Sequence, residues 1–269
     1  MKTQQTIILT ILISFLIIPI FAQTAMTYVT NSSEIKVYDP ARRKRVNYRE
    51  EKLDYTIWKS LLQKNVLANG QVNYSGFEKE ISKFNTFLRS LSSAKMTSSW
   101  TKNDKISYWI NVYNAYTVKL VLNNFPLTSI KEIDRPWKTK FFPIDGKLMS
   151  LSEVEHEILR DFGEPRIHFA INCASRSCPR LLQIPYTAEN LNRLLDRQTK
   201  EFINDEFYNT ITEFTVNVSH IFDWYRKDFK ATHGTVINFI NQYSNITIAN
   251  QKNKGYKSYD WSLNEQKKN

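Results

Sequence analysis

The sequence predicts a helix-rich α+β fold, a single domain around a small β-sheet with a central buried helix. The segment 105–124 is apolar on nearly every face, which is typical of a helix in the middle of a domain. Other segments repeat apolar residues at helical spacing, and short alternating runs indicate strands. With 269 residues, 42% of them hydrophobic, and six Trp, the chain can form a core, which excludes a disordered protein. We expect a signal peptide at 1–22, a basic polar lead-in at 23–50 and the single α+β domain at 51–269.

The first 22 residues are typical of a secretory signal peptide. Lys2 precedes an apolar run at 7–21, which is shorter than the roughly 20 residues that a membrane span needs. Small Ala22 then precedes polar Gln23, which suits a cleavage site. We therefore expect an exported protein, periplasmic or extracellular. The alternative is an uncleaved N-terminal anchor, and we expect contact with a membrane only through this segment.

The net charge of +11 does not predict a nucleic-acid partner. The basic runs at 42–45 and 252–268 lack the interleaved aromatic residues of a groove that binds single strands. The sequence also has no phosphate-binding glycine loop and no dinucleotide fingerprint, so we expect no cofactor. The expected ligand is an unidentified small molecule, peptide or envelope polymer.

In the first half of the domain, hydrophobic spacing and helix-end signals predict three helices. The first begins near Asp54 and ends at Asn69-Gly70, and the second begins at Ser75 or Gly76. The third is the central helix, which begins at Asn103 or Asp104 and ends before Phe125-Pro126.

In the second half, helices alternate with short strands. Asp145-Gly146 predicts a hairpin turn within 141–149, and a capping box at Ser150 and Glu153 starts a helix that runs to about Phe162. The remaining predictions are an interior strand at 166–173, a helix at 188–204 capped by Thr187, one bent strand or two strands at 207–218, and two final helices that begin at Ser219 and Thr235.

Polar groups on apolar faces are the candidate functional residues. Glu155 lies along the apolar stripe of the helix at 151–162, and His156 borders the same stripe. A carboxylate that faces a core is costly unless it is paired or hydrogen-bonded. Asn111 and Asn114 are surrounded by apolar residues in the central helix, so their amides must find partners. These amides either hold a loop's backbone or orient an imidazole.

The run at 166–179 contains a histidine and both cysteines. On the predicted strand, His168 and Cys173 point to opposite faces, so they meet only if the chain turns at Asn172. Otherwise His156 is the available base for Cys173. Three alternatives remain for the sulfur atoms: a nucleophilic Cys173, a disulfide between Cys173 and Cys178, and inert thiols.

A metal site is a further alternative, with His156, His168, Glu155 and Cys173 as ligands. No histidine pair has the i, i+4 spacing of a helical zinc site, so we expect no metal.

Five blocks in order resemble the domain-of-unknown-function family numbered 547. They are WINVYNAYTVKLVL, SLSEVEHEILR, PRIHFAINCASRSCPRL followed by a Pro-Tyr-Thr, IFDWYRKDF and YDWSLN, and together they span about 95–263. The resemblance carries no established activity. It implies that the candidate residues belong together, since all of them fall within these blocks: Asn111, Asn114, Glu155, His156, His168, Cys173 and Asp260.

These observations support two hypotheses from different classes. The first is a cysteine-dependent hydrolase or acyltransferase acting on an envelope or extracellular peptide or amide. Cys173 is the nucleophile, His168 or His156 the base, Glu155 or Asp260 the orienting group, and Asn111 or Asn114 the amide donor. The second is a non-catalytic binding module in which the Cys173–Cys178 pair is a disulfide and the polar residues form a structural network.

Overall fold

The computed structural model describes residues 28–31, 34–39, 44–48, 53–249 and 253–266. The chain divides into two compact units, residues 1–50 and residues 51–269. The expected signal peptide lies outside the described residues. None of the described helices combines the length and the apolar character that crossing a bilayer requires.

The first unit contains a three-stranded antiparallel sheet, where the sequence predicts a lead-in without regular structure. The strands are β1 (Tyr28–Asn31), β2 (Glu34–Asp39) and β3 (Lys44–Tyr48). β2 is the central strand, with Tyr28 of β1 opposite Val37 and Val46 of β3 opposite the same residue. The basic run at 42–45 thus overlaps the start of a strand.

The second unit begins with four helices packed around one core. They are α1 (Thr56–Asn65), α2 (Tyr74–Lys79), α3 (Ile81–Ser93) and α4 (Lys102–Asn124). Trp58 of α1 stacks on Phe84 and Phe87 of α3, with ring centroids 5.8 and 5.3 Å apart. α4 is buried along most of its length, which confirms the predicted central buried helix.

Helix α4 begins earlier than the sequence predicts. Thr101 is the capping residue, because its hydroxyl accepts from the backbone of Asp104 while the Asp104 carboxylate accepts from the backbone of Thr101. Asp104 is therefore the third residue of the helix, and neither Asn103 nor Asp104 caps it.

The predicted hairpin forms, and so does the helix after it, but this helix changes from α to π and then to 3-10 geometry. Strands β4 (Phe142–Ile144) and β5 (Lys147–Met149) pair antiparallel, and Ser150 caps α5 (Leu151–Glu153). The helix continues as a π-helix at Val154–Leu159 and a 3-10 turn at Arg160–Phe162. At its end the backbone N–H of Arg160 donates to the carbonyl of Glu155, five residues earlier.

The predicted interior strand at 166–173 is wrong. Pro165–Phe169 forms a 3-10 helix, and the residues up to Cys173 have no regular structure. Glu164 caps this turn by accepting from the backbone of Arg166, and Pro165 occupies the first helical position, where proline is favoured. The apolar residues of this run enter two clusters, Ile167 the one around α4 and Phe169 a second one. An apolar run of this kind resembles a buried strand in the sequence, which is why the prediction was wrong.

The second cluster is formed by the C-terminal elements. These are α6 (Leu191–Asn204), β6 (Thr210–Ile211), β7 (Thr215–Ser219), α7 (Ile221–Trp224), α8 (Arg226–His233), α9 (Val236–Tyr243) and β8 (Asn253–Lys257). β7 is the central strand, antiparallel to β6 and parallel to β8. Thr235 caps α9 as predicted. The helix expected after Ser219 is divided into α7 and α8. Helix α6 begins at Leu191, three residues after the predicted start at 188. The predicted α+β class is confirmed.

Candidate functional site

One cavity brings together most of the candidate residues. Its volume is about 350 Å³, and it lies between the π-helix, the segment that follows the 3-10 helix at 165–169, and the C-terminal elements. Four of the predicted residues line it: Glu155, His156, His168 and Cys173. Aromatic residues that the sequence did not single out form much of the remaining wall: Trp137, Trp224, Tyr225, Tyr259 and Trp261.

Cys173 is half-buried at the cavity, and its thiol is surrounded by hydrogen-bonding groups. Its Sγ lies 3.2 Å from Ser175 Oγ and 3.5 Å from Tyr259 Oη. Burial raises the pKa of Cys173, but hydrogen bonds from Cys178, Ser175 and Tyr259 outweigh this and lower its pKa to about 7. At neutral pH this thiol therefore has a larger fraction of thiolate, the nucleophilic form, than an ordinary cysteine.

Both cysteines are free thiols, so the disulfide alternative is not formed in this structure. The backbone N–H of Cys173 donates to Sγ of Cys178 over 2.7 Å. Cys178 is 6% exposed, and burial raises the pKa of its thiol well above the usual range. The two thiols are thus neighbours with opposite tendencies to ionise.

His168 is held by a carboxylate that the sequence analysis missed. Its Nε2 lies 2.8 Å from Oδ2 of Asp228 in α8. Asp228 also accepts two hydrogen bonds of 2.7 Å from Arg160. Burial raises the pKa of Asp228, but the hydrogen bonds from His168 and Arg160 outweigh this and hold its pKa far below the usual range.

The imidazole of His168 is neutral at neutral pH. Burial lowers its pKa and outweighs the opposing effect of Asp228. Nε2 therefore carries the proton that bonds to the carboxylate, and Nδ1 carries the lone pair. Nδ1 is buried and has no hydrogen-bond partner among the described residues.

Glu155 points into the core as its position on the apolar stripe predicts, and its partner is Tyr225. The Tyr225 hydroxyl donates to Oε1 of Glu155, and the Tyr225 ring stacks on His168 with centroids 3.7 Å apart. Burial and the neighbouring Glu155 carboxylate raise the pKa of Tyr225, so it stays protonated. The carboxylate contacts neither imidazole directly.

His156 lines the cavity with an exposed side chain. Its Nδ1 accepts from Arg160 over 3.2 Å. Arg160 thus connects His156 to the Asp228–His168 pair.

The side-chain amides of Asn111 and Asn114 hydrogen-bond backbone groups, which is one of the two roles that the sequence left open. Asn111 donates to the carbonyls of Ser107 and Tyr186 and accepts from the Tyr186 backbone N–H. Asn114 donates to the Ala170 carbonyl over 2.9 Å and accepts from the Asn172 backbone N–H over 2.8 Å. Neither amide lines the cavity, so neither is placed to stabilise charge there.

Asp260 is separate from the histidines. Its carboxylate accepts from the backbone and hydroxyl of Ser262 and lies 3.7 Å from Arg176 Nε. Asp260 does not line the cavity. The carboxylate that hydrogen-bonds an imidazole is that of Asp228.

No hydrogen bond joins either imidazole to the Cys173 sulfur within the described part of the chain. Among the described residues, no group of three or more His, Cys, Asp and Glu could hold a metal ion.

Three of the residues that the sequence analysis missed lie in two of the quoted blocks, whereas Trp137 lies outside all five. Tyr225 and Asp228 belong to IFDWYRKDF, and Tyr259 belongs to YDWSLN. A signal existed for Asp228, since it lies next to Phe229 and three residues after Tyr225, at the edge of an aromatic stripe.

Comparisons with known proteins cover part of the chain. No curated protein and no solved structure matches it. One family matches a stretch that includes Glu155, His156, His168 and Cys173 and ends before Tyr225 and Asp228. Residues 97–203 match the family described as "Protein of unknown function, DUF547", and the resemblance seen in the sequence is thereby confirmed for this part of the chain.

Proposed function

We propose that the protein is a cysteine-dependent hydrolase or acyltransferase that acts on a peptide or amide, with Cys173 as the nucleophile. One observation carries this proposal: a half-buried cysteine with a pKa of about 7 shares a cavity with an imidazole held by a carboxylate. Cavities of a few hundred Å³ are the usual size of sites for small molecules.

In the first step the Cys173 thiolate attacks the substrate carbonyl carbon. The lowered pKa of Cys173 supplies thiolate near neutral pH, so this step does not need a separate base. The C–N bond breaks, the nitrogen leaves with a proton from solvent, and a thioester remains on Cys173.

In the second step a water molecule or an acceptor amine attacks the thioester carbonyl carbon, the C–S bond breaks, the product leaves as an acid or an amide, and Cys173 is regenerated as the thiolate. His168 is the base for this step, because Nδ1 carries a lone pair and has no other partner among the described residues. Asp228 is a positioning residue that keeps the proton on Nε2 and stabilises the imidazolium that forms.

The oxyanion of each tetrahedral intermediate needs donors close to Cys173. The Tyr259 hydroxyl lies 3.5 Å from the sulfur and is suited to this role, whereas Asn111 and Asn114 are occupied by backbone groups. The backbone N–H of Ala174 is also occupied, since it donates to Asn172 Oδ1.

The aromatic wall favours a substrate with an apolar or flat group next to the scissile amide. Trp224 and Trp261 stack with centroids 5.7 Å apart, and Trp224 is 46% exposed. If the chain is exported, as the N-terminal sequence leads us to expect, peptides and amides of the cell envelope are the substrates within reach.

The test uses 4-nitrophenyl acetate, a general acyl donor, on the full chain. We expect an acetyl group on Cys173, detected by peptide mass spectrometry, and a burst of nitrophenolate. Cys173→Ala should abolish both, Cys178→Ser should keep both, and His168→Gln should slow deacetylation more than acetylation. A wild-type protein that acquires no acetyl group on Cys173 would show that this thiol is not an acyl acceptor.

A further inference from the structure

The second cysteine forms no bond with substrate in the acyl-transfer proposal, yet it lies against the nucleophile. The Cys173 backbone N–H donates to Cys178 Sγ over 2.7 Å, so the Cys178 sulfur lies against the backbone of the nucleophile. The chain contains two cysteines in total, so any intramolecular disulfide joins these two.

The loop that connects the two thiols is fixed by the C-terminal segment. Asn264 N–H donates to the Ala174 carbonyl, and Arg176 N–H donates to the Ser262 carbonyl, both over 2.9 Å. Within the loop, Cys178 N–H donates to the Ser175 carbonyl over 3.1 Å. Long-range backbone contacts therefore fix the loop that carries both thiols.

The two thiols differ in access. Both cysteines line the cavity, but Cys173 is half-buried whereas Cys178 is only 6% exposed. This asymmetry is typical of a dithiol in which one sulfur reacts with an external oxidant and the other reacts only with the first.

We propose that Cys173 and Cys178 form a reversible dithiol–disulfide couple in which hydrogen peroxide oxidises Cys173 and Cys178 resolves the product. This inference goes beyond the proposed function and needs only the two thiols, so it does not depend on acyl transfer.

The oxidation proceeds in two balanced steps. The Cys173 thiolate attacks one oxygen of the peroxide, an S–O bond forms, the O–O bond breaks and hydroxide leaves, which gives a sulfenic acid. The Cys178 sulfur then attacks the Cys173 sulfur, an S–S bond forms, the S–O bond breaks, and the hydroxyl group leaves with the Cys178 proton as water. Peroxide is reduced to water, and the two thiols are oxidised to a disulfide.

The surroundings of the sulfur atoms support both steps. The lowered pKa of Cys173 makes it the first to react, since the raised pKa of Cys178 keeps that thiol protonated. Fast resolution by Cys178 would also protect Cys173 from irreversible oxidation to the sulfinic acid. While the disulfide is present no thiolate is available for acyl transfer, and a thiol reductant restores it.

The test treats the reduced full chain with one equivalent of hydrogen peroxide at pH 7. The wild type should lose both thiols, its mass should fall by two hydrogen atoms, and dithiothreitol should reverse the change. Cys178→Ser should gain one oxygen atom instead and react with dimedone at Cys173. In Cys173→Ser the remaining thiol should react more than about tenfold more slowly, because its thiolate fraction is far below one half.

Three outcomes would overturn the couple: a wild type that keeps both thiols, a wild type that forms disulfides only between chains, and a wild type that gains one oxygen atom at Cys173 and goes no further. Thermal denaturation of both Ser variants shows whether they are folded. Acetylation of Cys178→Ser by 4-nitrophenyl acetate separates the two proposals, since Cys173 is the only sulfur that the acyl group bonds, and the Ser hydroxyl keeps a hydrogen-bond donor beside it, whereas oxidation to the disulfide needs both thiols.

Discussion

Oδ2 of Asp228 lies 2.8 Å from Nε2 of His168, and the same carboxylate forms two hydrogen bonds with Arg160. The arginine neutralises the carboxylate, and the carboxylate fixes the tautomer of the imidazole. As a result, the lone pair of His168 resides on Nδ1, the nitrogen that has no partner among the described residues.

Asp228→Asn should lower kcat/KM for acyl transfer by about 10²–10⁴-fold, because an Asn amide can donate to Nε2 and move the proton to Nδ1. The measurement is steady-state hydrolysis of the acyl donor. Asp223→Asn is the matched control, since Asp223 pairs with Arg226 on the surface and should leave the rate unchanged. Full activity in Asp228→Asn would remove His168 from the second step.

Alkylation of Cys173 by iodoacetamide should accelerate as the pH rises through about 7, because the thiolate fraction grows with pH around the pKa. The rate constant is measured from pH 5 to pH 9, with free cysteine as the reference, whose midpoint is near 8.5. Tyr259→Phe removes a donor to the thiolate and should move the Cys173 midpoint to higher pH. Equal midpoints for Cys173 and free cysteine would contradict the proposed stabilisation of the thiolate.

Asn111→Ala should destabilise the fold by about 1–3 kcal/mol, since it leaves the buried carbonyl and N–H of Tyr186 without their partner. The free energy of unfolding is measured in urea. Asn124→Ala is the control in the same helix: its exposed side chain bonds the Leu120 carbonyl alone, so the change should stay within about 0.5 kcal/mol. A loss of acyl transfer in folded Asn111→Ala would show that this amide acts in the cavity.

Glu153 should stabilise the fold at neutral pH and lose this effect in acid. A hydrogen bond from Lys140, together with those from Ser150, lowers the pKa of Glu153 from 4.5 to about 2. A carboxylate with a lowered pKa stabilises the folded state above its unfolded pKa, and the stabilisation fades as the pH falls toward 2.

The difference in stability between the wild type and Glu153→Gln should therefore be largest above pH 5 and shrink steadily below pH 4.5. Thermal denaturation from pH 2 to pH 7 measures it. Glu157→Gln is the control, because Glu157 lies exposed in the adjoining π-helix and should show a small difference at every pH. A Glu153→Gln difference that does not vary with pH would contradict this role for the charge.

Local patterns were sufficient for most of the fold. The buried helix around 105–124, the hairpin at Asp145-Gly146 and the cap at Thr235 depend on neighbours in sequence, and the structure has all three. The interior strand failed because an alternating apolar run also fits a turn whose side chains enter two different clusters, as Ile167 and Phe169 do.

The candidate site was harder to predict, because its pairings are long-range. Glu155 and His168 follow from a carboxylate and an imidazole in apolar surroundings, and both line the cavity. Asp228 lies 60 residues from His168, so no local pattern connects them. Asp260 lies in one of the family blocks and was therefore a candidate for the carboxylate that orients the imidazole, but in the structure its carboxylate accepts from Ser262.

The π-helix at Val154–Leu159 makes the site depend on segment length. A π turn accommodates one more residue than an α turn, and each residue of an α-helix advances the direction of a side chain by about 100°. Deleting one residue here would leave a regular helix but turn Glu155 away from Tyr225 or Arg160 away from Asp228. A redesign of this segment must therefore keep its number of residues, and this matters more than which residues it contains.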